Sequence, residues 1–190
     1  MENEIVKYLS KYTVLTNEVI TLIDKITIIK RFKKGTTLLL AGDISNESYF
    51  ILEGCIRSYL LKDGDDKTLE FYTEEQPISP LTYGTKIPSE HYLECIEDSL
   101  VSVNTPEYEA EMFKKYPQFE AVCHIMAEVM MANFQQSFAE YKVANPEERY
   151  LNLMKNRPDL IQRVPQYHLA SYLGVTPESL SRIRKRLSEK

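Results

Sequence analysis

The sequence predicts an α+β fold in which an N-terminal β-sandwich or barrel is followed by a long helix and a C-terminal helix-turn-helix. Three observations predict this order. Residues 26–105 consist of short segments that are rich in β-branched and aromatic residues and separated by glycines. Residues 118–142 carry apolar side chains at helical spacing. Residues 164–187 contain two short helical patterns joined by one glycine.

The N-terminal part combines helices with strands. Residues 3–25 are typical of one or two short helices, and Thr16 is a candidate N-cap for the second. Seven short strands follow between Ile26 and about Thr105, and Asp63-Gly64 is a typical hairpin dipeptide. Strands of this length and spacing favour a small sandwich or barrel.

The long helix carries an apolar row whose role has two interpretations. Pro106 opens a first helix, and after a break at Pro117 the longer helix is expected from about Gln118 to Lys142. Four of its apolar residues repeat at the a and d positions of a heptad: Phe119, Val122, Met126 and Val129. This row is either the seam of a homodimer or the face that packs on the helix's own domain, and both can hold.

The C-terminal segment has the turn and capping residues that are typical of a helix-turn-helix. Gly174 follows an apolar helical segment at once and can take the left-handed conformation that ends a helix. Thr176 is a good N-cap, and Pro177 stands where a helix needs no N–H donor. Ala170 is small enough to let two helices cross closely. An ordinary surface hairpin of helices is the alternative, but it does not require all these features in register.

The outer face of the last helix carries side chains suited to DNA. Arginine can donate two hydrogen bonds to guanine, and glutamate can accept one from cytosine. Lysines and arginines near the helix end, with Lys190, supply positive charge for phosphates. The residues expected to contact DNA are Thr176, Glu178, Ser179, Arg182, Lys185 and Arg186.

Charge and composition favour a cytoplasmic protein with a localised basic surface. The net charge is −5, but residues 145–190 hold 9 Lys+Arg and 5 Asp+Glu, whereas residues 1–144 hold 14 and 23. The three widely spaced cysteines indicate neither a disulfide framework nor a zinc site. No apolar run is long enough for a membrane span, and no metal or cofactor is expected.

The order of β-roll, long helix and helix-turn-helix resembles the Crp/Fnr family of bacterial transcription regulators. The matching stretches are KKGTTLLLAGD, SYFILEGCIRSYL and the C-terminal motif. The resemblance implies a double-stranded β-helix, or jelly roll, like that of cyclic-nucleotide-binding domains. It also implies a dimer along the long helix, a recognition helix in the major groove and RNA polymerase as a partner.

The resemblance also assigns roles and reveals gaps in the C-terminal unit. Glu178 and Arg182 match the family's base-reading glutamate and arginine, while Pro177 replaces a further arginine. Many members continue into a β-hairpin wing after the recognition helix. Because three residues follow Leu187, we expect a winged-helix-like unit with a truncated wing.

The sensor departs from the cyclic-nucleotide pattern of the family. Cyclic-nucleotide binders carry Gly-Glu and then Arg-Ser-Ala, where the arginine pairs with the phosphate. Here Ile78-Ser79 and Ser89-Glu90-His91 fill these positions, and no arginine occurs between Arg57 and Arg149. Cyclic AMP binding is therefore not expected. A candidate pocket for another, unknown small-molecule effector comprises Tyr83, Lys86, Ser89, Glu90 and Tyr92.

The sequence thus predicts a sensor domain at 1–117, a dimerisation helix at 118–144 and a DNA-binding domain at 145–190. The predicted function is sequence-specific transcription regulation by a homodimer at inverted-repeat sites. The alternative is a small-ligand-binding or protein-interaction module with a vestigial helix-turn-helix. An enzyme is not expected, because no nucleophile–base pair, metal cluster or phosphate loop is found.

Overall fold

The computed structural model describes residues 3–189 and confirms the α+β fold; Lys190, expected to contribute charge for phosphates, lies outside the described residues. The helices of this part are α1 (Glu4–Leu9), α2 (Asn17–Ile26), α3 (Pro106–Lys115), α4 (Pro117–Val143), α5 (Pro146–Asn156), α6 (Pro158–Arg163), α7 (Gln166–Leu173) and α8 (Pro177–Ser188). The strands are β1 (Ile28–Phe32), β2 (Thr37–Leu39), β3 (Ser48–Glu53), β4 (Ile56–Lys62), β5 (Asp65–Tyr72), β6 (Pro77–Ile78), β7 (Tyr92–Cys95) and β8 (Ser99–Asn104).

The strands form a jelly roll of two antiparallel four-stranded sheets. The strand orders are β1-β8-β3-β6 and β2-β7-β4-β5. Apolar side chains from both sheets fill the space between them: Leu39, Tyr49, Ile51, Ile56, Ile78, Leu93, Cys95, Val101 and Val103. The short strand β6 is additional to the seven predicted strands and pairs with β3.

The hairpin between β4 and β5 has the predicted turn. Asp63 and Gly64 have φ values of 55° and 86°. Positive φ at both central residues defines the turn whose twist matches that of paired strands. The turn brings Lys62 opposite Asp65 and fixes the register of the two longest strands.

The long helix α4 is anchored by the N-terminal helices. Thr16 caps α2 by accepting a hydrogen bond from the Val19 N–H, as predicted. Side chains of α1 and α2 form a cluster that includes Val122 of α4, which is only 8% exposed. The first half of α4 is therefore fixed against the same chain, whereas most of its second half is exposed.

Helices α5–α8, hereafter the HTH unit, confirm the predicted helix-turn-helix. Gly174 takes the left-handed conformation with φ of 71°, and the Val175 N–H donates to the Ala170 carbonyl at 3.0 Å. Thr176 caps α8 by accepting from the Ser179 N–H at 3.2 Å. Ala170 is completely buried where the helices meet. Helix α6 is additional to the predicted helices, because its six residues are too few for helical spacing to distinguish them from a connection.

The HTH unit packs on the outer face of the second sheet. Phe71 of β5 and Cys55, both fully buried, belong to the same apolar cluster as the interior of the HTH unit. Ser171 of α7 accepts from the Thr68 N–H at 2.9 Å and donates to the Asp66 carbonyl at 3.2 Å. Helix α7 thereby covers the edge strand β5, whose backbone groups would otherwise lack partners.

Candidate DNA-binding, dimer and effector sites

Helix α8 presents one exposed face that is set by its buried side. Leu180 and Ile183 are 1% and 5% exposed and fix the helix on the HTH unit. The exposed residues at i, i+3, i+4 and i+7 spacing share the opposite face: Glu178, Ser181, Arg182 and Lys185. Ser181 is not among the residues predicted from sequence, although this spacing alone could have identified it.

The N-terminal turn of α8 orders its polar side chains. Thr176 is tied to Ser179 by its cap, and its hydroxyl also donates to the Ser179 hydroxyl at 3.2 Å. Hydrogen bonds from its own backbone and from Thr176 lower the pKa of Glu178, so this carboxyl stays ionised at neutral pH. Arg182 donates from Nε to the Glu178 carbonyl at 3.4 Å, which directs its exposed side chain along the helix.

Two of the cations predicted to bind phosphates, Lys185 and Arg186, have different surroundings. Lys185 lies 3.9 Å from Glu189, and its side chain is 79% exposed. Arg186 lies 3.4 Å from Glu147 of α5 and is 59% exposed. The ion pair of Arg186 holds α8 against α5, whereas Lys185 extends from the exposed face.

Arg57 joins the second sheet to the HTH unit and was not identified from sequence. Its side chain is 3% exposed and donates to Asp66 at 2.9 Å and to Glu94 at 3.0 Å. It also donates to Nδ1 of His168 in α7. Because a guanidinium only donates, His168 is neutral and carries its proton on Nε2. Burial and the charge of Arg57 lower the pKa of His168 to about 4.

Two further arginines attach the HTH unit to the β-roll. Arg163 donates to Glu74 at 2.8 Å and to Glu97 at 2.7 Å. Burial opposes ionisation of Glu74, but hydrogen bonds from Arg163 and from the backbone N–H groups of Glu74 and Gly54, together with the charge of Arg163, lower the pKa of this carboxyl. Arg157 donates to the Thr73 hydroxyl at 3.0 Å. These partners lie far apart in sequence, so no local pattern could reveal them.

The five residues of the candidate effector pocket lie in the segment between β6 and β7 and at the start of β7. Within residues 3–189, no hydrogen bond, ion pair or ring contact links any two of Tyr83, Lys86, Ser89, Glu90 and Tyr92. Ser89 is buried, and its hydroxyl donates to the His91 carbonyl at 3.0 Å. Tyr92 instead stacks on Tyr59 with a centroid separation of 4.8 Å. Burial raises the pKa of Tyr83 to about 12.

The space between the two sheets is filled by the chain's own side chains. Tyr49 is 5% exposed there, and its hydroxyl donates to Glu47 at 2.9 Å. Surface grooves of about 550 and 390 Å³ lie elsewhere, the first beside α8 and the second beside α2.

Most of the predicted apolar row of α4 packs against other helices of the same chain. Phe119 and Met126 pack on the cluster that contains Val122, as one of the two interpretations expects. Val129 is 37% exposed. A second row at a and d spacing is more exposed, with values of 58, 64, 53 and 41%: Met131, Phe134, Phe138 and Tyr141. We call these four residues the exposed α4 row.

Between residues 3 and 189, no group of three or more His, Cys, Asp or Glu side chains could hold a metal ion. Over the same residues, no helix is long and apolar enough to span a bilayer.

The fold defines a class of protein in which a jelly roll is joined by a long helix to a helix-turn-helix. Residues 29–116 match the family model of the cyclic nucleotide-binding domain. This match confirms the predicted resemblance of the β-roll to cyclic-nucleotide-binding domains. No curated protein sequence matches the chain.

Three solved structures illustrate the shared architecture. The c-di-GMP-responsive global regulator CLP of Xanthomonas campestris is 15% identical, with 92% of each chain covered and a TM-score of 0.69. FixK2 from Bradyrhizobium japonicum is 17% identical, with 86% of this chain and 85% of that chain covered and a TM-score of 0.66. The Thermus thermophilus catabolite activator protein is 17% identical, with 96% and 87% covered and a TM-score of 0.58. At these identities the likeness establishes the fold.

Proposed function

We propose that the chain is a sequence-specific DNA-binding transcription regulator that acts as a homodimer. The observation that carries this proposal is the face of α8 formed by Glu178, Ser181, Arg182 and Lys185, which is exposed while the helix is held from behind. A capped helix with a donor-rich outer face fits the major groove, where base edges can be read. The similar solved structures include a global regulator and a catabolite activator protein, which agrees with this function.

The exposed α4 row supports dimerisation along the long helix. Phe134 and Phe138 have rings 6.1 Å apart and lie on another face of α4 than Val122. Apolar residues repeated every three or four positions on a helix are typical of a coiled-coil seam. A contiguous exposed apolar surface of this kind marks an interface. We propose a second copy of the chain as its occupant, because the row can pack on itself around a two-fold axis.

A dimer of this kind predicts the form of the operator. Each copy contributes one α8, and two-fold symmetry relates the two helices. The operator is therefore expected to contain two inverted half-sites about one helical turn apart. RNA polymerase as a further partner rests on the family resemblance.

An unbiased selection of bound DNA fragments tests the proposed function. Random duplexes are incubated with the full chain, and bound fragments are sequenced over several rounds. Enrichment of an inverted repeat is the expected result. Recovery without any enriched sequence would contradict sequence-specific recognition and favour a ligand-binding or protein-interaction module.

Cyclic AMP is not expected to bind the β-roll. Ser89 is engaged by His91, and Ile78 is 2% exposed and belongs to the apolar core between the sheets. Arg57, which has the charge that a phosphate needs, is already paired with two carboxylates. Titration calorimetry should give no measurable heat of binding at micromolar cyclic AMP. A micromolar dissociation constant would contradict this prediction and show that another group of the β-roll replaces the missing phosphate-pairing residues.

A further inference from the structure

The end of α4 meets the turn of the HTH unit at a joint made by two side chains. The Arg149 guanidinium lies over the Tyr141 ring, with its carbon 3.9 Å from the ring centroid. Its Nη1 donates to the Tyr141 hydroxyl at 3.1 Å and to the Leu173 carbonyl at 3.3 Å. One side chain of α5 therefore contacts both the last turn of α4 and the end of α7.

The turn glycine is packed directly beneath this joint. A Cβ atom at Gly174 would lie 3.1 Å from the Tyr141 hydroxyl and 3.5 Å from Arg149 Nη1. The left-handed turn and the joint thus fit closely, and a movement of one displaces the other. The Nε of Arg149 is buried without a hydrogen-bond partner. A buried N–H group without a partner costs free energy, so the stacking and the Nη1 hydrogen bonds must hold the guanidinium in this position.

The connection that the joint spans is short. Helix α4 ends at Val143 and α5 begins at Pro146, so only Ala144 and Asn145 lie between them. Both have extended backbones, with ψ of 136° and 168°. Rotation about two residues would change the direction in which the HTH unit leaves α4 unless other contacts oppose it. The contacts of α7 with β5 hold one side of the unit, and the joint holds the side that faces α4.

We infer that Arg149, stacked on Tyr141, is a positioning residue that sets the distance between the two recognition helices of the dimer. The inference rests on the proposed function. Arg149 and Tyr141 would fix the HTH unit relative to α4, so that pairing of two α4 helices also fixes the distance between the half-sites. Tyr141 belongs to the exposed α4 row, so dimerisation would immobilise the ring on which Arg149 stacks. A planar guanidinium can stack and donate two bonds together, whereas an ammonium cannot match this geometry.

The first test compares operators with different half-site spacings. Fluorescence anisotropy measures binding to the selected operator and to versions whose spacer is changed by one base pair, which shifts a half-site by about 3.4 Å and about 35°. The wild type should prefer the selected spacing by about tenfold or more, and Arg149→Lys should reduce this preference to about threefold or less. Arg149→Lys keeps the positive charge, so affinity for scrambled DNA should not change.

Two other variants separate positioning from general stability. Tyr141→Phe keeps the stacked ring and should retain most of the spacing preference. Lys155→Arg conserves charge at an exposed position of the same helix and should behave as the wild type. Thermal unfolding checks that all variants are folded. An Arg149→Lys protein that keeps the full spacing preference would overturn the inference.

A second measurement needs no DNA and therefore separates the inference from the proposed function. Spin labels are attached through Ser181→Cys, and distances between the two copies are measured by pulsed electron resonance. Cys55 and Cys95 are fully buried, and Cys123 is replaced by serine in all samples. A narrow distance distribution is expected in the wild type and a broader one in Arg149→Lys. Equal widths would overturn the inference even if DNA binding were confirmed, whereas a missing operator would overturn only the proposed function.

Discussion

Arg182 and Lys185 lie one turn apart on the exposed face of α8, but their side chains recognise DNA differently. The planar guanidinium of Arg182 can donate two parallel bonds to one guanine, whereas the ammonium of Lys185 is a point charge suited to phosphates. Arg182→Ala should weaken operator binding by about 1–3 kcal/mol per half-site and relax specificity at one base pair. Binding to the operator and to scrambled DNA, measured at several salt concentrations, checks this prediction.

Lys185→Ala provides the matched comparison on the same helix face. It should weaken binding to all DNA sequences and flatten the salt dependence, because phosphate contacts release counterions. Arg186 is paired with Glu147, so Arg186→Ala should have a smaller effect on the salt slope than Lys185→Ala. Equal losses for operator and scrambled DNA in Arg182→Ala would identify Arg182 as a phosphate contact.

His168 makes folding stability depend on pH. Its pKa is about 4 in the folded chain, because of burial and Arg57, against an ordinary value of 6.5. Between these pH values the unfolded chain binds more protons. The free energy of unfolding should therefore decrease as the pH falls from 6.5 towards 4, by at most about 1.4 kcal/mol per pH unit. His168→Gln keeps an acceptor for Arg57 without titrating, so urea unfolding should show a shallower decrease for this variant.

The comparison between wild type and His168→Gln removes the effects of other groups. Burial raises the pKa of Glu70, which faces the same α7 surface. Its contribution to the pH dependence of stability is opposite in sign to that of His168, and it is the same in the wild type and in His168→Gln. His124→Gln alters an exposed side chain and should follow the wild type. Identical pH slopes for wild type and His168→Gln would contradict a neutral, buried His168.

At the scale of elements, the exposed α4 row predicts the position of the dimer seam. Phe134→Glu combined with Phe138→Glu should give monomers in sedimentation experiments, because two-fold packing would bring four carboxylates together. The folded monomer should persist, since the two phenylalanines are 64% and 53% exposed. Gln135→Glu adds a charge at an exposed neighbouring position and should leave the dimer intact.

The alternative position of the seam makes a different prediction. Val129→Lys changes the exposed member of the row first identified from sequence. Monomers from Val129→Lys, together with an intact dimer of the Phe134 and Phe138 variant, would assign the seam to that row. Both rows have a and d spacing, so spacing alone cannot choose between them.

The elements that sequence predicts well are those whose signals are local. The backbone freedom of Gly174 predicts a turn, and the hydroxyl of Thr176 predicts an N-cap. Both residues have the expected roles. The choice of which α4 face is buried depends on α1 and α2, which are distant in sequence, and Val122 shows no local sign of this. The contact of Arg57 with His168 depends likewise on two segments that are far apart in the sequence.

At the scale of the whole molecule, the β-roll and the HTH unit share one apolar cluster. Cys55, Phe71 and Ile96 of the β-roll pack with the interior of the HTH unit, and Arg57 and Arg163 add polar links across the same boundary. Buried apolar contacts between two parts make their unfolding cooperative, since opening one exposes the surface of the other. The two parts are therefore expected to unfold together.

Phe71→Ala tests whether this boundary is part of the folding unit. The side chain is fully buried and meets Tyr172 of α7 edge to face at 5.3 Å, so its removal should reduce the free energy of unfolding by about 3–5 kcal/mol. Amide hydrogen exchange should show reduced protection at both Ile51 of β3 and Ile183 of α8. Leu81→Ala, at a position 83% exposed, should leave protection unchanged at both sites. Loss of protection at Ile183 alone would show that the HTH unit opens independently, and the shared cluster would then be a docking surface instead of a common core.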